Sequence, residues 1–142
     1  MKKLLVIIIL MFFIVGASTF LFLKNLGINE KEIIKQNQEF EYYLNKKIYG
    51  TELVSIINKA IDKNEQNKIL KDEKKYYVEN EENSLKIEIK MGKINKTYPM
   101  EEIYNNNITE FVKYFNLAEF ECIKIEYHKK TGRISKMYFQ EV

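Results

Sequence analysis

Histidine, cysteine, proline and arginine each occur once in this 142-residue chain, as His128, Cys122, Pro99 and Arg133. A single cysteine allows no internal disulfide, and it does not by itself define a redox compartment. A single histidine leaves a histidine-based metal cluster, or a serine triad with its base, without support. Cys122 and His128 stand six residues apart, about 20 Å along a strand, too far for a thiolate–imidazole pair. Asp62 and Asp72 are the only aspartates, so there is no D-x-D loop, and the five glycines form no phosphate-cradling run. Glutamate pairs such as Glu81-Glu82 and Glu101-Glu102 are frequent, but adjacent side chains diverge on a helix or strand, and these read as solubility charges. His128 is expected to face solvent near a hairpin tip, and Cys122 to fill a small apolar space. No catalytic, cofactor-binding or metal-binding residue is nominated, no cofactor is expected, and the chain does not read as an enzyme.

Acidic residues are also missing from the start of the chain, where the first is Glu30. Of the 23 basic residues, Lys2, Lys3 and Lys24 flank an apolar run; the 20 that follow balance 20 acidic residues. The net charge of +3 therefore belongs to those flanks. A neutral remainder argues against nucleic acid, whose phosphates call for a concentrated basic surface. All basic residues but Arg133 are lysine, and isoleucine and asparagine are abundant too. Their codons are AT-rich, so the lysine excess reads as the bias of a low-GC bacterial genome. Alternating lysine and glutamate then describes a solvated surface.

What is present in strength is apolar length. Leu4 to Leu23 carries no charge and is interrupted only by Gly16-Ala17-Ser18-Thr19. As a helix it would reach roughly 30 Å, the thickness of a bilayer's hydrocarbon core. A cleaved export signal, with an apolar core at 4–14 and a site near Val15-Gly16-Ala17, is the alternative. Phe20-Leu21-Phe22-Leu23 resumes the run where a mature N-terminus should turn polar, which favours a retained anchor. With Lys2 and Lys3 held inside, the remainder would face outward. No cysteine follows the run, which excludes a lipoprotein signal.

Beyond Gly27, residues 29–49 read as a helix capped by Asn29, with Ile33, Phe40, Tyr43 and Leu44 as a broken apolar stripe and Gly50 as its stop. It is expected to continue the membrane helix as a stalk, with Gly27 permitting a bend. Thr51 would cap the next helix, in which Leu53, Ile56, Ile57, Ala60 and Ile61 share a face. That face either packs on a sheet or receives a partner helix. Strands are expected at Lys75–Asn80, Ser84–Met91 and Lys93–Pro99, the second with clean alternation of Leu85, Ile87, Ile89 and Met91 against charged residues. Pro99 suits the start of a short helix over Met100 to Tyr104, Asn105-Asn106-Asn107 punctuates, and Thr109 would cap a second. A hairpin turning at Lys129–Gly132 closes the chain, with Ile123, Ile125 and Tyr127 expected inside. The ten tyrosines fit half-buried strands, or an exposed patch for protein contact around Tyr42, Tyr43 and Tyr49.

The stretch from Tyr49-Gly50-Thr51 through Asp62-Lys63-Asn64 resembles a segment of small single-span membrane proteins of low-GC Gram-positive bacteria. The resemblance implies the architecture and no activity. The layout of anchor, amphipathic extension and small sheet is also similar to type IV pilins and pseudopilins. Those carry a glutamate five residues into the apolar run after the processed glycine, whereas Gly16 is followed by Ala17-Ser18-Thr19-Phe20-Leu21; processing and filament assembly do not follow from the likeness.

The expectation is an α+β chain in three parts. Residues 1–24 form a membrane anchor meeting lipid through 4–23, 25–49 a helical stalk, and 50–142 a small extracytoplasmic domain with amphipathic helices on a four- or five-stranded antiparallel sheet. Its partners would be other membrane or surface proteins. The leading reading of function is a non-enzymatic interaction or assembly subunit at the cell membrane, tested first at Thr51 to Asn64 and the strand edges. Alternatives are a pilin-like structural subunit, and an exported sensor or enzyme with a site of Tyr, Asn and Glu side chains.

Overall fold

The computed structural model describes the backbone of residues 2–92, 95–106 and 108–142, and their side chains except at 2–6, 8 and 25–28. The side chains of Lys2 and Lys3, expected to hold the N-terminus inside, and the expected strand residues Lys93 and Ile94 lie outside what is described. The chain divides into two units, Met1–Lys35 and Gln36–Val142. The first unit is the greater part of helix α1 (Lys2–Glu41), and Asn29 lies within it, so it caps no separate helix. Mean hydropathy reaches 1.9 in an apolar window of α1, none of which is buried. This helix is long and apolar enough to cross a membrane. The hydroxyls of Ser18 and Thr19 donate to the Val15 carbonyl at 2.9 and 2.7 Å, so these polar groups need no water.

In the second unit, the last turns of α1 belong to the folded domain. Phe40 is buried in its core, and Asn37 donates to the Gly132 carbonyl at 2.8 Å while accepting from the Ile134 N–H at 3.1 Å. Helix α1 stops at Glu41, well before Gly50. A turn follows in which Asn45 takes φ +58°, a left-handed conformation that asparagine tolerates. The Asn45 N–H donates to the Cys122 carbonyl at 2.8 Å. Strand β1 (Lys47–Tyr49) then runs directly into α2 (Gly50–Gln66). Tyr49, not Thr51, occupies the cap position of α2, and it makes no side-chain capping bond. Gly50 is required by close approach, since a Cβ there would sit 1.9 Å from the Phe115 carbonyl oxygen.

The remaining elements are β2 (Lys86–Met91), β3 (Lys96–Pro99), α3 (Met100–Asn105), α4 (Ile108–Phe115), β4 (Glu119–Tyr127) and β5 (Ile134–Glu141). They build one five-stranded sheet in the order β1-β4-β5-β2-β3. The sheet is mixed and not antiparallel as expected: β2 and β5 pair in parallel, Ile87 opposite Met137 and Ile89 opposite Phe139. Alternation identifies each strand but carries no information on the direction of its neighbour. The chain passes through β3, α3, α4 and β4 before β5 returns beside β2.

Leu53, Ile56, Ile57, Ala60 and Ile61 of α2 are all buried and share a core with Ile87, Ile89, Phe120, Cys122 and Phe139. Each fully buried side chain of this size contributes roughly 1.5–3 kcal/mol. The apolar face of α2 is therefore spent on the sheet and does not form a partner groove.

The hairpin forms where expected, with Gly132 at φ +69°. Its inward set differs. Cys122 pairs with Phe139 and Lys124 with Tyr138, leaving Ile123 as the extra residue of a bulge. A bulge shifts the two-residue period by one, so Cys122 and Ile125 both pair with core residues of β5, Phe139 and Met137. Ile123 is 50% exposed and Tyr127 44%. The segment expected as a first strand, Lys75–Asn80, is instead loop, and its β pairing among the described residues is a single bridge between Tyr77 and Lys71.

Candidate functional site

The loop between α2 and β2, residues 67–85, is long for a connection without its own helix or strand, and such loops are usually functional or anchored by their own side chains. This one is anchored. The Asp72 Oδ1 accepts from the N–H groups of Lys74 and Tyr76 at 2.9 and 2.8 Å. Asn80 Oδ1 accepts from Glu82, Asn83 and Ser84 at 2.9–3.0 Å. Tyr77 plugs into the core at 3% exposure. Its N–H donates to Glu101 Oε1 at 3.1 Å and its hydroxyl to Glu65 Oε1 at 3.3 Å. Asn64, wholly buried at the end of α2, donates to the Leu85 carbonyl at 2.7 Å and accepts the Leu85 N–H at 2.8 Å.

Glu101 corrects one sequence expectation. It is a buried residue, not a solubility charge, and its carboxylate lies 2.8 Å from the Lys86 ammonium with the two side chains 1% and 13% exposed. Its second oxygen, Oε2, is buried and has no hydrogen-bond partner among the described residues. A buried ion pair of this kind depends on both members, because either charge alone would be stranded in a poor solvent.

A cleft of about 360 Å³ opens between the loop and the β4–β5 hairpin. His128 lines it and is buried, at 7% exposure, not solvent-facing as expected. Its Nε2 lies 2.7 Å from the Ser84 carbonyl oxygen; a carbonyl only accepts, so Nε2 carries the proton. The imidazole thus meets the serine's backbone, while Ser84 Oγ accepts from the Asn80 N–H at 3.0 Å, and the two do not make a nucleophile–base pair. Charges in the cleft cancel locally. Lys130 reaches Glu82 at 3.1 Å, and Lys136 reaches Glu79 at 3.1 Å and Glu88 at 3.4 Å. Burial works against the Lys136 ammonium, but the hydrogen bond it donates to Glu79 and the charges of Glu79 and Glu88 leave its pKa raised. The Thr131 hydroxyl donates to the Glu82 carbonyl at 2.6 Å. The cleft is a clasp that fixes the loop to the hairpin. Among the described residues, no group of three or more His, Cys, Asp or Glu is placed to share a metal ion.

A second concavity, of about 250 Å³, lies where α3 and α4 cross the β2–β3 end of the sheet. Met91, Ile103 and Phe111 form its buried floor, and Tyr98, Tyr114 and Phe115 its walls. Phe111 stacks on Phe115 with ring centroids 5.0 Å apart. Tyr114 is 68% exposed. The charged residues lining the groove are Glu102 and Glu110; Lys96 approaches Glu102 at 3.8 Å and lies over the Tyr98 ring.

The surfaces singled out from sequence separate accordingly. Thr51 to Asn64 turns its apolar face inward, whereas the short edge strands β1 and β3 end the sheet on either side. Tyr77 is core, Tyr43 packs against the core, and Tyr42 and Tyr49 are exposed. The α3–α4 groove was not foreseen; its signal was the apolar run of Phe111, Val112, Tyr114 and Phe115 in an eight-residue helix, one aromatic more than an inward stripe needs. No family model, curated protein or solved structure matches the chain.

Proposed function

We propose that the chain is a single-pass membrane protein whose outward-facing domain works by protein contact and not by catalysis. The observation that supports this reading best is the apolar stretch of α1, none of which is buried, while the domain that follows in sequence has a core of its own. Leaving Phe12, Phe13 and Phe22 in water would forgo roughly 1.5–3 kcal/mol for each, a loss that hydrocarbon removes. Lys2 and Lys3 favour an inside N-terminus. The mechanism is tethering: confinement to the membrane surface raises the effective concentration of the domain for partners held there.

The experiment is the intact mass of the protein extracted from carbonate-washed membranes of its native host, with cross-linking of anchored and anchor-deleted forms. A full-length mass in the membrane, with cross-links lost on deleting residues 1–24, is expected. A released protein lacking residues up to Ala17, or partner capture indifferent to the anchor, overturns the reading. A pilin-like subunit is the second reading, favoured by the burial of Phe40 and Gln36 in the domain at the end of the same helix. The parallel β2–β5 pair departs from the antiparallel layout behind that likeness. It requires cross-links between neighbouring apolar helices and a mass beginning after Gly16.

A further inference from the structure

We propose that the α3–α4 groove is the surface through which the domain takes its partner, and that the occupant is a peptide segment with an aromatic or aliphatic anchor flanked by lysine or arginine. The proposal rests on the reading of the chain as a protein-contact domain and names the partner's chemistry. At about 250 Å³ the groove falls under the roughly 300–1,000 Å³ of small-molecule sites, a size that takes one or two side chains of a peptide. Its floor is preformed, since Met91, Ile103 and Phe111 are 5–8% exposed. Tyrosine, phenylalanine and methionine are the residues enriched at the centres of protein interfaces, and here Tyr114 stands 68% exposed at the wall.

Charge selects the occupant. Both charged residues lining the groove are carboxylates, Glu102 and Glu110. Lys96 offsets the first only at 3.8 Å and half-exposed, and among the described residues Glu110 has no ion pair. An apolar anchor alone would gain burial; basic flanks add attraction to Glu110 and discriminate against acidic segments. In the charged cleft at the hairpin, by contrast, Lys130 and Lys136 are already paired with Glu82, Glu79 and Glu88.

The test uses the full chain in phosphatidylcholine nanodiscs and three fluorescein-labelled peptides, read by anisotropy: a Leu-Phe core flanked by lysines, the same core flanked by glutamates, and a serine core flanked by lysines. Saturable binding of the first is expected, with the other two at least about tenfold weaker. Glu110→Lys and Tyr114→Ser, both at exposed positions and checked for an unchanged thermal melt, should each weaken it at least about fivefold. Equal binding of the glutamate-flanked peptide, no saturable binding of the first, or indifference to both variants overturns the proposal. So does a concentration-dependent dimer abolished by Tyr114→Ser, which would make a second copy the occupant. If the groove fails while membrane cross-linking still depends on the anchor, the tethered reading survives without this surface; if peptide binding holds and anchor dependence is lost, the reverse is true.

Discussion

Changing Asn64 to aspartate exchanges one amide for a carboxyl of the same shape, and it should turn the stability of the domain into a pH-dependent quantity. Asn64 is 0% exposed. It holds Leu85 by both backbone groups, donating at 2.7 Å and accepting at 2.8 Å, and thereby sets where the long loop hands over to β2. An ionised carboxyl can still accept the Leu85 N–H, but its other oxygen then faces the Leu85 carbonyl. The protonated acid can donate there and restore the pair. The folded state therefore holds the proton more tightly than the unfolded chain, whose aspartate titrates near about 3.9. With a folded-state pKa raised in this way, the penalty of Asn64→Asp is smallest below that unfolded value and grows as pH rises to the folded one, by about 1.4 kcal/mol for each unit of difference. Asn64→Ala has no such relief. It leaves two buried backbone groups unsatisfied at roughly 1–3 kcal/mol each, or about 2–6 kcal/mol together. The assay is urea unfolding of the full chain in micelles, followed by tyrosine near-ultraviolet dichroism at about pH 4 and pH 7, with the wild type subtracted at each pH. An alanine variant costing under about 1 kcal/mol, or an aspartate variant with the same cost at both pH values, would refute the reasoning.

Two further outcomes follow from buried groups. Glu101→Gln leaves the Lys86 ammonium, 13% exposed, without its counter-charge and should cost about 3 kcal/mol, the low end for a broken buried pair; Lys86→Met together with Glu101→Met should recover at least half of that in the same unfolding assay, and a single variant as stable as the wild type counts against the pair. The Cys122 thiol is 0% exposed and is pushed up to about 11, chiefly by burial. Thiol labelling at about pH 8, near the ordinary cysteine value, should therefore proceed only as fast as the domain unfolds, and rapid stoichiometric labelling of the folded protein would show that the core around β4 opens.

Much of this molecule was written into short-range pattern. The uncharged run from Leu4 to Leu23, the single apolar face of α2, the alternation of Ile87, Ile89 and Met91, and the hairpin with its turn at Gly132 were each determined by residues within one element or one turn. Such patterns report which side of an element avoids water, because helix and strand repeat every 3.6 and 2 residues. They do not report what lies beside it. The three-residue strand β1, the parallel alignment of β5 on β2, and the bulge that expels Ile123 exist only through partners distant in the chain. The same holds for single polar residues. His128 is buried because the loop brings the Ser84 carbonyl to it, and Glu101 because Lys86 and the Tyr77 N–H are already in place. Sequence alone reads both as surface, since a polar side chain enters a core only where tertiary structure supplies its partner.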